Sequence, residues 1–221
     1  MGYLLYAAEL VGTAAFALSG SLLAIQKRLD LFGVLFLGVV TALGVGTLRD
    51  LLLGTAPPRM FYNMEYVCLA IASSLLIFLI VEFRHGRSRI PPGVSDFLMV
   101  LCDALGLGIF SVIGTQAGIQ AGYGDNMFLC VFLGMTTGVG GRILRDIMCK
   151  DIPFVLRKHI YAVAAISGGG VFYLLLRAGI NQNLSTLAGM LATLTLRLLA
   201  WHYRWNLPRA TAPEGQETKT V

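Results

Sequence analysis

Charge is scarce in this chain. Only 13% of its 221 residues are Asp, Glu, Lys or Arg, about half the share of an ordinary soluble domain, while 56% are hydrophobic and the mean hydropathy is +0.73. That balance excludes a water-soluble globular fold. Cysteine is sparse too. Cys68, Cys102, Cys130 and Cys149 show no Cys-x-x-Cys spacing and lie within or beside apolar runs, which argues for reduced, packed thiols and against a disulfide or metal framework. His85, His159 and His202 fall at helix ends or loops, and no His/Cys cluster or nucleophile–base pair is visible, so catalysis has no evident carrier and no metal is expected. The N-terminus lacks a basic segment, and Tyr6 departs from the myristoylation pattern. The first apolar run is therefore expected to remain as a membrane helix. The net charge of +5 sits mostly in short connections and the C-terminal tail, a placement that fits membrane topology and not nucleic acid.

What the chain has in quantity is apolar sequence. A spanning helix takes about 20 mainly apolar residues, and seven runs qualify: 3–25, 32–53, 61–82, 96–118, 126–148, 158–177 and 184–204. The expected fold is an all-α integral membrane protein with seven transmembrane helices. Arg84 to Gly93 is the one polar, Pro/Gly-bearing connection. The pattern predicts a first unit over 1–83, a cytoplasmic linker over 84–95, a second unit over 96–178, a seventh helix over 179–205 and a disordered tail over 206–221. Lys27 and Arg28, Arg84, Arg87 and Arg89, Lys150, Arg157 and Lys158, and Arg204 and Arg209 follow helices 1, 3, 5 and 7, whereas the other side has little beyond Arg59 and Arg177. Basic residues stay in the cytoplasm, so the N-terminus is expected outside and the C-terminus inside. Trp201, Tyr203 and Trp205 then form an aromatic belt where helix 7 leaves the bilayer.

The runs contain a duplication. Thr41-Ala-Leu-Gly-Val-Gly-Thr-Leu-Arg49-Asp50 returns as Thr137-Gly-Val-Gly-Gly-Arg-Ile-Leu-Arg145-Asp146, so Thr41, Gly44, Leu48, Arg49 and Asp50 recur at an offset of 96. Helix 1 reads Glu9-x-x-Gly12-x-x-x-Phe16-x-x-x-Gly20, and helix 4 reads Asp103-x-x-Gly106-x-x-x-Phe110-x-x-x-Gly114, at an offset of 94. Two additional residues between helices 4 and 5 account for the difference. Each copy holds three helices, an odd number, so the copies must be inverted relative to each other, an architecture that puts a polar pathway at the repeat interface. Helix 7 stands outside the repeat.

A charge near the bilayer centre costs roughly 2.5–3.5 kcal/mol even on the lenient insertion scale. Glu9, Arg49, Asp50, Asp103, Arg145, Asp146 and Arg197 must therefore face partners or water. A rise of about 1.5 Å per residue puts Glu9 level with Arg49, and Asp103 level with Arg145, and the expected contacts are Glu9–Arg49 and Asp103–Arg145. These pairs either belong to a pathway or only fasten helices together. Glycine inside a helix costs about 1 kcal/mol relative to alanine, so Gly44, Val45 and Gly46, and Gly138, Gly140 and Gly141, mark places for a kink whose freed carbonyls line water. The competing reading is close small-residue packing, which is preferred for Gly12, Gly20, Gly106 and Gly114. Thr41, Thr136 and Thr137 add hydroxyls to the same segments, available to a pathway or to their own helix. Arg142 takes the place that Gly46 holds in the first copy and is the gating candidate, as a plug or voltage-responsive cation, unless it snorkels to the interface. Arg197 is expected to contact lipid in the cytoplasmic leaflet.

The paired Gly-rich Arg-Asp motifs, the acid-xx-Gly-xxx-Phe-xxx-Gly openings and the 3+3+1 helix count resemble the trimeric intracellular cation (TRIC) channel family in its short prokaryotic form, over roughly residues 4–203. Similar prokaryotic proteins are also labelled glycine-transporter-like. The resemblance implies a homotrimer with a pore in each protomer, lined by kinked second and fifth helices and passing monovalent cations, chiefly potassium, in a cytoplasmic membrane. It implies no cofactor, with membrane lipid and the permeant ion as the remaining partners. The kink positions carry over to Gly44–Gly46 and Gly140–Arg142, where Val45 and Arg142 depart from the family's triple glycines. The alternative function is a secondary transporter of a small solute such as glycine, which an inverted repeat permits equally.

Overall fold

The computed structural model describes residues 2–84, 92–157, 160–203 and 205. Most of the polar linker lies outside the described residues, as do the tail after Trp205, Arg87, Arg89, Lys158, Arg204, Arg209, His85 and His159. Among the described residues every regular element is helical: α1 Tyr3–Gln26, α2 Leu31–Leu52, α3 Met64–Arg84, α4 Pro92–Gly118, α5 Met127–Met148, the single turn α6 Phe154–Arg157, α7 Ile160–Arg177 and α8 Gln182–His202. Seven of these, all but α6, are long and apolar enough to cross a membrane. The chain is a multi-pass membrane protein.

Local chemistry sets the helix ends, and it does so twice. Asp30 caps α2 by accepting from the Gly33 amide at 2.8 Å, and Asn126, 96 residues on, caps α5 by accepting from the Leu129 amide at 3.0 Å, each satisfying an orphan N–H of the first turn. At the other end α2 closes through Gly54 (φ +71) and α5 through Lys150 (φ +55). In both, the amide of that residue and the next return to the last turn: Gly54 to Leu51 and Thr55 to Asp50, Lys150 to Ile147 and Asp151 to Asp146. A left-handed residue suits this stop, and glycine takes it without a Cβ penalty. Lys150→Gly is therefore expected to stabilise the protein by about 1 kcal/mol, read as a rise in the thermal midpoint in micelles; an unchanged or lower midpoint would contradict it. The two additional residues of the second copy are taken up in the wide π-type turn Ile119–Tyr123, where Gly122 adopts φ +92. The third run starts late because Pro57, Pro58 and the 3-10 turn Arg59–Phe61 precede α3.

Helix α4 occupies the middle of the bundle, packed on α1, α5, α7 and α8. Its contact with α1 is reciprocal. A Cβ on Gly12 would touch Ile109 and Phe110 at 2.9–3.0 Å, a Cβ on Gly106 would run into the Phe16 ring, and Phe16 and Phe110 stack with centroids 5.4 Å apart. Residue numbers thus run in opposite directions along the two helices. Likewise α2 and α5 exchange Gly44 against Leu144 (2.7 Å) and Gly140 against Leu48 (2.5 Å). Gly20 meets the Leu37 carbonyl and the Thr41 hydroxyl of α2, and Gly114 meets the Leu133 carbonyl and the Thr137 hydroxyl of α5, all at 2.5–2.8 Å from where a Cβ would stand.

The expected kinks are not interruptions. Both α2 and α5 run as unbroken α-helices through Gly44–Gly46 and Gly138–Gly141. The physical reason is packing: Gly141 sits so close to α2 that a Cβ would collide with the Thr41 carbonyl, and Gly138 abuts Leu107. These glycines bring two helix backbones together, as small residues do where lipid gives helices no hydrophobic reason to associate. The hydroxyls follow suit. Thr41, Thr136 and Thr137 donate to the carbonyls of Leu37 (2.6 Å), Phe132 (2.9 Å) and Leu133 (2.5 Å) in their own helices.

Candidate functional site

Because α1 and α4 are antiparallel, their acids Glu9 and Asp103 lie toward opposite ends of the bundle, and each has gathered a cluster. At the Glu9 end, Arg49 Nη1 is 3.6 Å from Glu9 Oε1, and Tyr66 donates its phenol to Glu9 Oε2 at 3.0 Å. Arg49 Nε also bonds Asp50 Oδ1 at 2.9 Å, and Asp50 Oδ2 accepts from the Arg59 amide at 2.8 Å. Around these groups is a cavity of about 150 Å3 whose walls include Thr13, Ala42, Gly46 and Gln116. It has room for several waters, and its polar lining gives them partners.

At the Asp103 end the partner differs from expectation. Asp103 is bridged by Arg142, not by Arg145. Arg145 turns instead to Asp146, with Nε at 3.0 Å and Nη2 at 2.8 Å from Oδ1, and reaches across to the Ser19 hydroxyl at 3.0 Å. The reason is register. The sequence puts an arginine where the first copy has Gly46, and its shorter path to Asp103 releases Arg145 to its neighbour. Nor does Arg197 face lipid. It is only 3% exposed, with Nη2 3.8 Å from Asp103 Oδ2, because α8 packs against α4 and turns this residue inward. Tyr161 completes the group: its phenol lies 3.3 Å from Asp103 Oδ1, and its ring carries the guanidiniums of Arg142 and Arg197 at 5.0 and 4.7 Å from the centroid. One carboxylate, 1% exposed, thus anchors two arginines and a phenol. Burial leaves such charges strongly dependent on one another.

Tyr66 and Tyr161 are functional candidates that pattern reading missed. They hold equivalent places on the two acids, but at an offset of 95, a one-residue slip that hides the match from a search at 94 or 96. Between the clusters the side chains are apolar: Phe16, Val45 and Leu107 are fully buried with Phe110, and on α4 the seven steps from Asp103 to Phe110 span about 10 Å. At the bundle end that carries Lys27, Asp151 bonds that lysine at 2.8 Å and holds its ammonium above the ordinary value. Trp201, Tyr203 and Trp205 are each about half exposed, with Tyr203 stacked on Trp205. Among the described residues no His/Cys/Asp/Glu group is arranged to hold a metal.

A family model described as Glycine transporter matches residues 6–82 and 100–177, two segments that correspond to the two copies. The UPF0126 inner membrane protein YadS of Escherichia coli (strain K12) is 38% identical over 216 residues, 96% of this chain and 99% of that protein. A UPF0126 membrane protein of Vibrio cholerae is 37% identical over 205 residues, 93% of this chain and 82% of the other. Among solved structures, a TRIC cation channel superposes with a TM-score of 0.82 at 32% identity, covering 97% of this chain and all of that one. The TRIC trimeric intracellular cation channel orthologue from Rhodobacter sphaeroides gives 0.83 at 29% identity over 92% of this chain and all of its own. These neighbours are channels, and this chain is not an enzyme. By sequence and by fold alike, the chain belongs to the family of UPF0126 membrane proteins described as Glycine transporter and is a member of the TRIC family.

Proposed function

We propose that the protein is a monovalent cation channel, chiefly for potassium, in the cytoplasmic membrane of a prokaryote, with its N-terminus outside and its C-terminus in the cytoplasm. Two inverted three-helix units, 1–83 and 96–178, frame a pathway between α2 and α5 in each protomer of a homotrimer, and α8 stands outside them. Membrane lipid and the permeant ion are its partners, and no cofactor is needed. The observation that carries this reading is the unequal pair of acid clusters on the α2–α5 seam. At the Glu9 end a cavity of about 150 Å3 reaches the acid itself, while at the Asp103 end the Arg142 side chain lies on the carboxylate and the cavity of about 140 Å3 there is walled by Arg142 and Arg197 and not by Asp103. Arg142 is then the plug: it neutralises the acid that would otherwise attract a cation, and its release opens the second half of the path. Thr41, Gly44, Val45 and Gly46, and Thr136, Thr137, Gly138, Gly140 and Gly141, form the seam that must part when the pathway opens. The intramembrane charges Glu9, Arg49, Asp50, Asp103, Arg145 and Asp146 fix its two mouths. Similarity to the solved TRIC channels supports the reading.

A second reading, a secondary transporter of a small zwitterion such as glycine, is favoured by one feature: the open cavity presents Glu9 and Asp50 together with Arg49 and Arg59, partners for an ammonium and a carboxylate. Recording from purified protein in planar bilayers, with a potassium/sodium reversal potential, separates the two. Discrete unitary currents with cation selectivity are expected; gradient-coupled, saturable glycine uptake without currents would replace the channel by the transporter.

A further inference from the structure

The duplication supplies a template for a ligand. At the Asp103 end a guanidinium, that of Arg142, sits on the carboxylate and against the Tyr161 ring. At the Glu9 end the same frame stands, with Glu9 for Asp103 and Tyr66 for Tyr161, but residue 46 is glycine and the space is open. A Cβ there would find only Arg49 Nη2, at 3.8 Å. The surrounding charges leave a place for a cation. Asp103 and Asp146 against Arg145 and Arg197 sum to zero before Arg142 is counted, and at the Glu9 end Glu9 and Asp50 outnumber the buried Arg49, with Arg59 and Glu65 both exposed. The Asp103 frame takes a further guanidinium although Arg197 already lies on the same ring, because delocalised guanidiniums stack on aromatic faces and dehydrate readily. Arg49 shows how room is made. Its contact with Glu9 is a long 3.6 Å, and it bonds Asp50 through Nε alone, whereas Arg145, beside an occupied acid, bonds Asp146 through both Nε and Nη2.

We propose that the Glu9 cavity is a binding site for a guanidinium-type organic cation, anchored by the Glu9 carboxylate, walled by Tyr66 and admitted by the absence of a side chain at Gly46. On binding, Arg49 leaves Glu9 and closes fully onto Asp50, as Arg145 does on Asp146. The site is defined by binding alone, so it stands or falls independently of whether the pathway conducts.

The test is calorimetric titration of methylguanidinium chloride into the full-length protein in lipid nanodiscs, with potassium chloride and tetramethylammonium chloride as controls for ionic strength and for cations lacking N–H donors. Saturable binding at one site per chain is expected, weakened about tenfold or more by Glu9→Gln and abolished by Gly46→Arg, whose tethered guanidinium fills the cavity. Arg142→Gly should add a second site per chain, at Asp103. Absence of saturable binding, binding that survives Gly46→Arg, or equal heats from tetramethylammonium would each overturn the proposal. Should Glu9→Gln fail to fold, Gly46→Arg still decides it, since that position has open space.

Discussion

Asp103→Asn is expected to lower stability by about 3–5 kcal/mol, the range for removing one partner of a buried ion pair. The effect is this large because one carboxylate serves three groups: it bridges Arg142, lies 3.8 Å from Arg197 and accepts from Tyr161. Neutralising it removes the carboxylate charge shared by two guanidiniums that are 7% and 3% exposed, while Asp146 Oδ2 stays 3.9 Å from Arg142 Nε. Glu9→Gln is the comparison. Glu9 keeps a looser contact with one arginine and borders a water-sized cavity, so its loss should cost less, about 1–2 kcal/mol. Denaturant titration in mixed micelles measures both. Equal losses at the two acids would mean that the clusters are energetically alike and that Arg142 adds nothing to its own.

Gly141→Ala is expected to cost about 3 kcal/mol or more, at or beyond the upper end of overpacking penalties. Its Cβ would meet the carbonyl oxygen of Thr41, and backbone cannot step aside as a side chain can. Helices α2 and α5 would have to separate along the whole seam. Two neighbours calibrate the claim. Gly44→Ala meets the end of the Leu144 side chain at 2.7 Å, which can rotate, and Gly46→Ala meets nothing closer than 3.8 Å. The ranking Gly141 far above Gly44, with Gly46 near neutral, is the expected result in the same titration; a flat series would show that the close backbone approach is not what holds the seam.

The seven spans were legible in the sequence because apolar length is a direct requirement of the bilayer. The duplication was legible because Glu9, Arg49 and Asp50 are rare residues in apolar surroundings, and their spacing stands out. What could not be read was partner choice. Depth along a helix put Asp103 level with Arg145, but Arg142 is one turn nearer on the same face, and only packed side chains decide between two arginines three residues apart. Arg197 was misplaced for a related reason: α8 has no counterpart in the repeat, so nothing in the pattern told which of its faces α4 would cover. Glycine carries a double message, flexibility or close approach. Only the position of the Thr41 carbonyl against Gly141 selects the second for the unbroken helices described above. Val45 and Arg142, the two departures from glycine, both prove to be buried, which is why the two halves of the seam are not equivalent.

In the channel proposed above, Arg142 stops a cation path that the Glu9 cavity opens. The most direct measurement is paired single-channel recording of the wild-type protein and Arg142→Gly in planar bilayers under a potassium gradient. Cation-selective unitary currents are expected in both, with a markedly higher open probability in Arg142→Gly. Identical open probabilities in the two proteins, or no unitary current from either while both remain folded, would contradict it.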